Sequence, residues 1–298
     1  MTLTMNGRAA LPFPRALRFD GVLPGLPSLP TVRVAEQREA WKLPLRRSLG
    51  LRVPVHALLA DSSGAWAWDP HDAHAAATRH ASVQDWIKLN PGCDVRLWVS
   101  GQLVRSLGRD RTVADQDDES LRSHAKREFI ERHGDTAASW ALATWRNEAA
   151  LGVCALSGID LPALNQHAGK HAVRMQSVVP WWYHAFQEAR RCVTALSQVQ
   201  TGHVCVVEGR QLAWISTARG LLAEVRQTAL AAASVEALQC ELRVLAANMP
   251  ASAMRPVVLG QGLEDGSRTG ALDALVLGRL DGDQPPQWLR PSVTTDMH

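Results

Sequence analysis

The chain has 298 residues, of which 46% are hydrophobic, so it can bury the core of one large domain or of two closely joined domains. Its 32 basic and 29 acidic side chains give a net charge of +3, and dispersed basic residues favour no nucleic-acid partner. No stretch approaches the roughly 18 apolar residues that span a bilayer, and no signal-peptide pattern opens the chain. Five isolated cysteines without a C-x-x-C pair are typical of reduced core residues. These features predict a cytoplasmic protein without a direct membrane span.

Prolines punctuate the first part of the chain, for example in 11–14 and 23–30. Each proline removes a backbone donor and disfavours helix and central strand, so residues 1–54 are predicted to form an extended, Pro-rich arm. The arm also carries Phe13, Phe19 and Trp41 among its charges. This composition is too apolar for a solvated linker and indicates that the arm packs on a surface.

Alternating strand and helix patterns begin after the arm. The predicted elements up to residue 139 are a hairpin (55–60 and 65–68), a helix ending at Leu89 and capped by Ser82, strands at 94–99 and 102–107, and a helix preceded by acidic residues and ending at Arg132.

The second half continues the mixed α/β order. Its predicted elements are strands 140–146 and 150–156, helix 158–171, strand 173–179, helix 181–196, a three-strand meander (203–207, 212–216, 221–228), helix 234–247, strand 254–259 and segment 272–277.

Two passages of the second half carry a family resemblance. The sequence Leu161-Pro162-Ala163-Leu164, with the strand Val173 to Val179 and Pro180 after it, resembles the helix, strand and proline passage of PilM and GspL proteins. The segment from Thr201 to Gly209, followed by Leu212 to Ile215, resembles their next hairpin. These are actin-fold cytoplasmic proteins of type IV pilus and type II secretion systems.

The resemblance implies an α/β, actin-like (RNase H-like) fold with two lobes and mixed sheets. Residues 55–139 would form the first lobe, residues 140–280 the second, and residues 281–298 a tail. It also implies a non-catalytic scaffold or adaptor that binds inner-membrane platform proteins and is peripheral to the membrane through them. Self-association as a homo-oligomer is left open.

Three turns occupy the places where actin-like ATPases hold nucleotide. Those enzymes wrap phosphate with backbone N-H groups from two acidic, glycine-containing hairpin turns, and a third glycine-rich turn meets the adenosine. The corresponding residues are Asp61 and Gly64 in the first turn, Glu208 and Gly209 in the second, and Gly260 and Gly262 in the third.

The second and third turns depart from the ATP-binding pattern. The ATP-binding members show Asp, Gly and a later Thr in the second turn, whereas here the Thr is absent and Arg210 and Gln211 add bulk. In the third turn, Gln261 separates the paired glycines. Asp61 could lie near Mg²⁺, yet Asp-Ser-Ser-Gly is also an ordinary hairpin turn. The sequence therefore predicts no cofactor, disfavours Mg-ATP and argues against hydrolysis.

Residue patterns for a metal site, a nucleophilic enzyme or a nuclease are weak or absent in this sequence. Asp69, His71, Asp72, His74 and His80 contain metal-ligand types, but a solvated loop is the favoured interpretation. Nucleophile and P-loop motifs are absent, and the predicted strands are almost free of the acids that an RNase H-type nuclease needs.

Trp181, Trp182 and Tyr183 are the candidate partner-binding residues. Consecutive helix residues point about 100° apart, so three rings cannot share one narrow buried face. At least one ring is therefore expected to be exposed to a partner, unless the helix lies between a sheet and a neighbouring helix that buries all three. The alternatives to a scaffold are an ATP-dependent enzyme of the sugar-kinase type and an accessory protein with a decayed nucleotide site.

Overall fold

The computed structural model describes residues 55–72, 74–109, 117–247, 254–267 and 269–291. The arm predicted for residues 1–54 and the last residues of the predicted tail, 292–298, lie outside the described residues.

Thirteen strands and six α-helices form within the described ranges. The strands are β1 (Val55–Asp61), β2 (Gly64–Trp68), β3 (Thr78–His80), β4 (Asp94–Val99), β5 (Val104–Arg109), β6 (Ala141–Arg146), β7 (Leu151–Leu156), β8 (Arg174–Pro180), β9 (Thr201–Glu208), β10 (Gln211–Ala218), β11 (Leu221–Ala229), β12 (Val257–Gln261) and β13 (Leu275–Val276). The helices are α1 (Val83–Leu89), α2 (Asp118–His133), α3 (Leu161–Lys170), α4 (Trp181–Cys192), α5 (Ala195–Gln198) and α6 (Val235–Ala246).

The first sheet has the strand order β3-β2-β1-β4-β8. Strands β1, β2 and β3 form an antiparallel meander, whereas β4 is parallel to β1 and β8 is parallel to β4. Consecutive residues of the central strand β1, such as Leu58 and Leu59, are both buried. Because both faces of this sheet are covered, the strand is a continuous apolar run without alternation.

The second sheet repeats this arrangement. Its order is β11-β10-β9-β12-β13, with an antiparallel meander followed by two parallel strands. Two sheets that share the order 3-2-1-4-5 and its strand directions are the duplicated RNase H-like arrangement of the actin-like fold. The predicted fold class is therefore confirmed. We call the units built on the two sheets the first lobe and the second lobe.

A smaller unit is inserted between β4 and α3. It consists of the antiparallel sheet β5-β7-β6 and helix α2, which begins at the N-cap Asp117. Leu121, Phe129 and Val153 share its separate core. Asn147 donates a hydrogen bond of 2.7 Å to the carbonyl of Leu222, which ties the inserted unit to β11 of the second lobe.

Helix α4 lies between the two lobes. It contacts β8 of the first sheet and β9 and β12 of the second. Trp181 and Trp182 have no exposed surface, and Tyr183 is 3% exposed. The expectation that one of these rings is exposed to a partner is therefore wrong. A helix with a sheet on each side buries apolar side chains around most of its circumference. The alternative left open by the sequence also buried all three rings, but between a sheet and a neighbouring helix.

The predicted lobe boundary at residues 139 and 140 requires correction. Strand β8 belongs to the first sheet, because it pairs with β4 from Asp94–Arg174 to Val99–Pro180. The first lobe therefore resumes after the inserted unit, and the chain enters the second sheet only at Thr201. The order of elements in the sequence does not show that β8 returns to the first sheet, because parallel pairing joins strands that are far apart in the chain.

The predicted tail also differs from the structure. Residues 281–291 are part of the folded molecule, and Gln287–Leu289 form a 3-10 turn. Leu289 is fully buried in the main core. Prolines 285 and 286 preclude helix and strand here, so the sequence pattern contains no periodic signal for this burial.

No helix in the described ranges combines the length and the apolarity needed to cross a bilayer.

The burial of α4 predicts how a substitution there acts. Trp182→Ala should lower the free energy of unfolding by about 3 to 5 kcal/mol, because it leaves a cavity between two sheets. Urea denaturation followed by circular dichroism measures this difference. Leu89→Ala, at a side chain that is 70% exposed, is the matched control and should change stability by less than about 0.5 kcal/mol. Equal urea midpoints for Trp182→Ala and the unmodified chain would contradict the packing.

Candidate functional site at the junction of the two lobes

The turn between β1 and β2 is the first predicted nucleotide turn. Asp61 Oδ1 accepts hydrogen bonds from the backbone N-H of Ser63 at 2.7 Å, from its hydroxyl at 2.8 Å and from Arg79 Nη2 at 3.0 Å. Oδ2 accepts from Arg79 Nη1 at 2.6 Å and Trp66 Nε1 at 3.2 Å. A carboxylate offers about four lone-pair sites, so these five donors saturate the Asp61 side chain.

The Arg79 guanidinium, which pairs with Asp61, also contacts an aromatic ring. It lies over the ring of Trp66 at 4.7 Å from the centroid, in a cation-π contact. Burial alone would raise the pKa of Asp61, but the hydrogen bonds from Arg79 and Ser63 outweigh it and hold that pKa below its ordinary value. The Asp61 carboxylate is therefore ionised and neutralised from within the chain.

Gly64 has a packing role at this turn. Its φ is +150°, and a Cβ atom at this position would lie 2.4 Å from the carbonyl oxygen of His80. Glycine is required here because β3 passes close to the backbone of β2. Backbone packing is therefore sufficient to explain why this position is a glycine.

The turn between β9 and β10 contains Glu208 and Gly209. Glu208 is 5% exposed, and its Oε1 accepts a 2.8 Å hydrogen bond from the backbone N-H of Gly101. Gly101 follows β4 of the first sheet, so this bond connects the two lobes. The pKa of Glu208 is raised to about 7, chiefly by burial. The nearby Asp61 charge also raises this pKa, whereas the hydrogen bonds from Ser100 and Gly101 lower it.

The third predicted turn, at the end of β12, packs directly against the second. Gly209 donates its backbone N-H to the carbonyl of Gln261 at 2.9 Å, and Gly262 donates to the carbonyl of Gly282 at 2.9 Å. At Gly260 a Cβ atom would lie 2.0 Å from the carbonyl oxygen of Val207. The glycines therefore allow close backbone packing of β9 against β12, and two of their N-H groups are used within the chain.

Glutamine side chains complete the contact between the lobes. Gln102 accepts a hydrogen bond from Ser62 Oγ at 2.5 Å and donates one of 3.4 Å to the carbonyl of Glu208. Gln227 Nε2 donates to the carbonyl of Gly101 at 3.2 Å. We call the group Ser62, Ser100, Gly101, Gln102, Glu208 and Gln227 the junction.

Gln102 connects the first predicted turn to the second, through Ser62 and the carbonyl of Glu208, and the contribution of residues 100–102 was not predicted. These residues follow a parallel strand at its carboxyl end, which is where open α/β sheets place ligand-binding and contact residues. That positional rule could have identified Gly101 and Gln102. Arg79 and Gln227 carried no such signal, because each reaches the junction region from a neighbouring strand.

The aspartates considered for a metal site accept hydrogen bonds from the backbone of their own loop. Asp69 and Asp72 each accept a 2.8 Å hydrogen bond from the backbone two residues ahead, at His71 and His74. Within the described ranges, no group of three or more His, Cys, Asp or Glu side chains is arranged to hold a metal ion.

No protein-family model and no curated protein matches the sequence. Among solved structures, the chain is similar to a PilM-PilN type IV pilus biogenesis complex, at 12% identity over 76% of this chain and 88% of that one, with a TM-score of 0.49. It is also similar to the cytoplasmic domain of EpsL, an inner membrane component of the type II secretion system of Vibrio cholerae, at 8% identity over 69% and 82% of the two chains and a TM-score of 0.44. A protein of Bacteroides thetaiotaomicron with an actin-like ATPase fold and unknown function is similar at 8% identity over 72% and 84%, with a TM-score of 0.46.

The buried carboxyl of Glu208 predicts a pH-dependent stability. The folded protein retains the Glu208 proton up to about pH 7, whereas the unfolded chain releases it near the ordinary value of 4.5. The stabilising contribution is therefore complete below pH 4.5 and is lost as the pH rises through 7. From pH 5 to pH 8, the unmodified chain should lose on the order of 2 kcal/mol relative to Glu208→Gln, which keeps an acceptor for Gly101.

Urea denaturation of both proteins at several pH values measures this difference. Glu131→Gln, on the exposed side of α2, controls for the loss of one negative charge and should follow the unmodified chain. Parallel stability profiles for Glu208→Gln and the unmodified chain would show that this carboxyl does not titrate in the stated range.

Proposed function

We propose that this chain is a non-catalytic, cytoplasmic scaffold or adaptor that docks on the inner-membrane platform of a pilus or secretion machine. The observation that carries the non-catalytic part is that the groups an actin-like ATPase offers to nucleotide are bonded to each other in this chain. The pilus or secretion context extends the sequence resemblance of residues 161–180 and 201–215.

The first support is the state of the backbone donors. A phosphate clamp needs N-H groups that point into the space between the turns. Here Ser63 donates to its own turn, Gly209 to Gln261 and Gly262 to Gly282. A triphosphate would have to break these bonds, and each broken bond offsets part of the binding energy.

The second support is the state of the carboxylates. Mg²⁺ at a nucleotide site is bound through one or two carboxylates, water and phosphate oxygens. Asp61 is saturated by Arg79, Ser63 and Trp66, and Glu208 is buried against Gly101. The residues at the junction therefore do not fit Mg-ATP.

The same contacts weigh against the sugar-kinase alternative. Such an enzyme needs an aspartate base beside the transferred phosphoryl group and turns that are free to approach it. Asp61 and Glu208 are the acids of the first two turns, and both are engaged. A two-lobed body whose turns are bonded within the chain is suited to presenting surfaces to partners.

Titration calorimetry with Mg-ATP tests the non-catalytic assignment. We expect no saturable heat at micromolar protein and no phosphate release, because the donors and carboxylates of the turns are already bonded. Asp61→Asn is the matched variant, since it removes the carboxylate that would lie nearest to Mg²⁺, and its trace should equal that of the unmodified chain. Micromolar binding with turnover that Asp61→Asn abolishes would overturn the proposal in favour of an enzyme.

Complementation in the native host tests the scaffold assignment separately. Deletion of the chain should abolish assembly or secretion by one envelope machine, and the unmodified chain should restore it. Asp61→Asn and Glu208→Gln should restore it equally well, since neither side chain is proposed to act on nucleotide. Cross-linking should recover an inner-membrane protein of that machine with the chain. Full assembly without the chain, or recovery in the membrane fraction of no such protein, would contradict the role.

A further inference from the structure

The end of the described chain passes from one lobe to the other. We call residues 281–291 the C-terminal strap. The strap begins on the second lobe, where Leu280 is fully buried and its carbonyl accepts a 2.9 Å hydrogen bond from the N-H of Leu263. Gly282 accepts a further 2.9 Å bond from Gly262. The start of the strap is therefore held by the same turn that packs against Gly209.

The strap ends on the first lobe. Leu289 enters the main core without exposed surface, and its carbonyl lies 2.8 Å from His184 Nε2 on helix α4. Arg290 donates through its two terminal nitrogens to the carbonyls of Asp69 and Asp72, in the loop that follows β2. Gln287 Nε2 donates to the carbonyl of Ala75 in the same loop at 3.2 Å.

These contacts are specific in chemistry as well as in position. A carbonyl can only accept, so the short contact to Leu289 places the proton of His184 on Nε2. Burial lowers the pKa of His184, which keeps the ring neutral in its place beside Trp98 and Trp181. The planar guanidinium of Arg290 holds two carbonyls at once, which fixes the loop as well as the strap.

Trp288, which lies between Gln287 and Leu289 in the strap, contacts the second lobe. A Cβ atom on Gly278 would lie 2.4 Å from the Trp288 indole nitrogen, so the ring lies directly against that backbone. Neighbouring residues of the strap therefore contact different lobes: Trp288 contacts the second, whereas Gln287 and Arg290 contact the first.

We propose that the C-terminal strap is a clasp that fixes the angle between the two lobes and so keeps the junction closed. The hydrogen bonds of the junction attach the lobes to each other through Gly101 and Glu208. The strap adds a second attachment through His184 and the loop at 69–75. Helix α4 and the bond from Asn147 limit large rotations of the lobes, the strap restricts the small rotations that remain, and its release loosens the junction.

Amide hydrogen exchange on the full chain tests the clasp. Arg290→Gln removes the fork to Asp69 and Asp72 and should accelerate exchange at the Gly101 amide, which bonds Glu208, by about tenfold. Amides within helix α2 should be unchanged. Arg279→Gln is the matched control, because Arg279 pairs with Asp281 by a 2.8 Å bond without contacting the first lobe. Acceleration confined to residues 69–75 and the strap, with Gly101 unchanged, would show that the strap only covers the surface.

Distances between the lobes give a second readout that simple destabilisation does not produce. Spin labels at Leu89→Cys on α1 and Arg243→Cys on α6 report on the first and second lobe, with the exposed Cys192 and Cys240 replaced by serine. The distance distribution should be narrow in this background and broader when Arg290→Gln is added. A chain that ends after Pro285 should give the same broadening. Unchanged distributions in both variants would overturn the proposal.

Discussion

Helix α4 has a sheet against each of two sides, and this position constrains the rest of the molecule. A residue on either side must be apolar, which explains why Trp181, Trp182 and Phe186 follow so closely in sequence. Trp181 also stacks on Trp68 of the first sheet, with ring centroids 6.2 Å apart. Because the helix is common to both lobes, neither sheet can shift far without exposing aromatic surface to water.

Local features of the chain were predictable because they depend on neighbouring residues. The hairpin around Asp61, the N-cap Ser82, the helix that begins after Ser234 and the meander that begins at Thr201 follow from turn chemistry and periodicity. The buried Trp cluster and the return of β8 to the first sheet were predicted wrongly. Both depend on what packs against an element from elsewhere in the chain, and periodicity does not identify that neighbour.

The location of the candidate site was predictable from the sequence, but the hydrogen bonds within it were not. The first two turns occur at equivalent hairpins of two repeated sheets, so their approach follows from the topology. Their occupation by Arg79, Gly101 and Gln102 does not, since the bond between Gly101 and Glu208 joins residues 107 positions apart. The same glycines suit either close backbone packing or a bound phosphate, and only the donors around them distinguish these roles.

The strap has a consequence for the order in which the protein is made. Arg290 and the carbonyl of Asp69 are 221 positions apart, so this contact spans most of the described chain. During synthesis the first sheet leaves the ribosome well before its last partner exists, and domains generally fold in that order. The loop at 69–75 therefore gains its contacts with Gln287 and Arg290 late in synthesis, after the rest of the first lobe has been made.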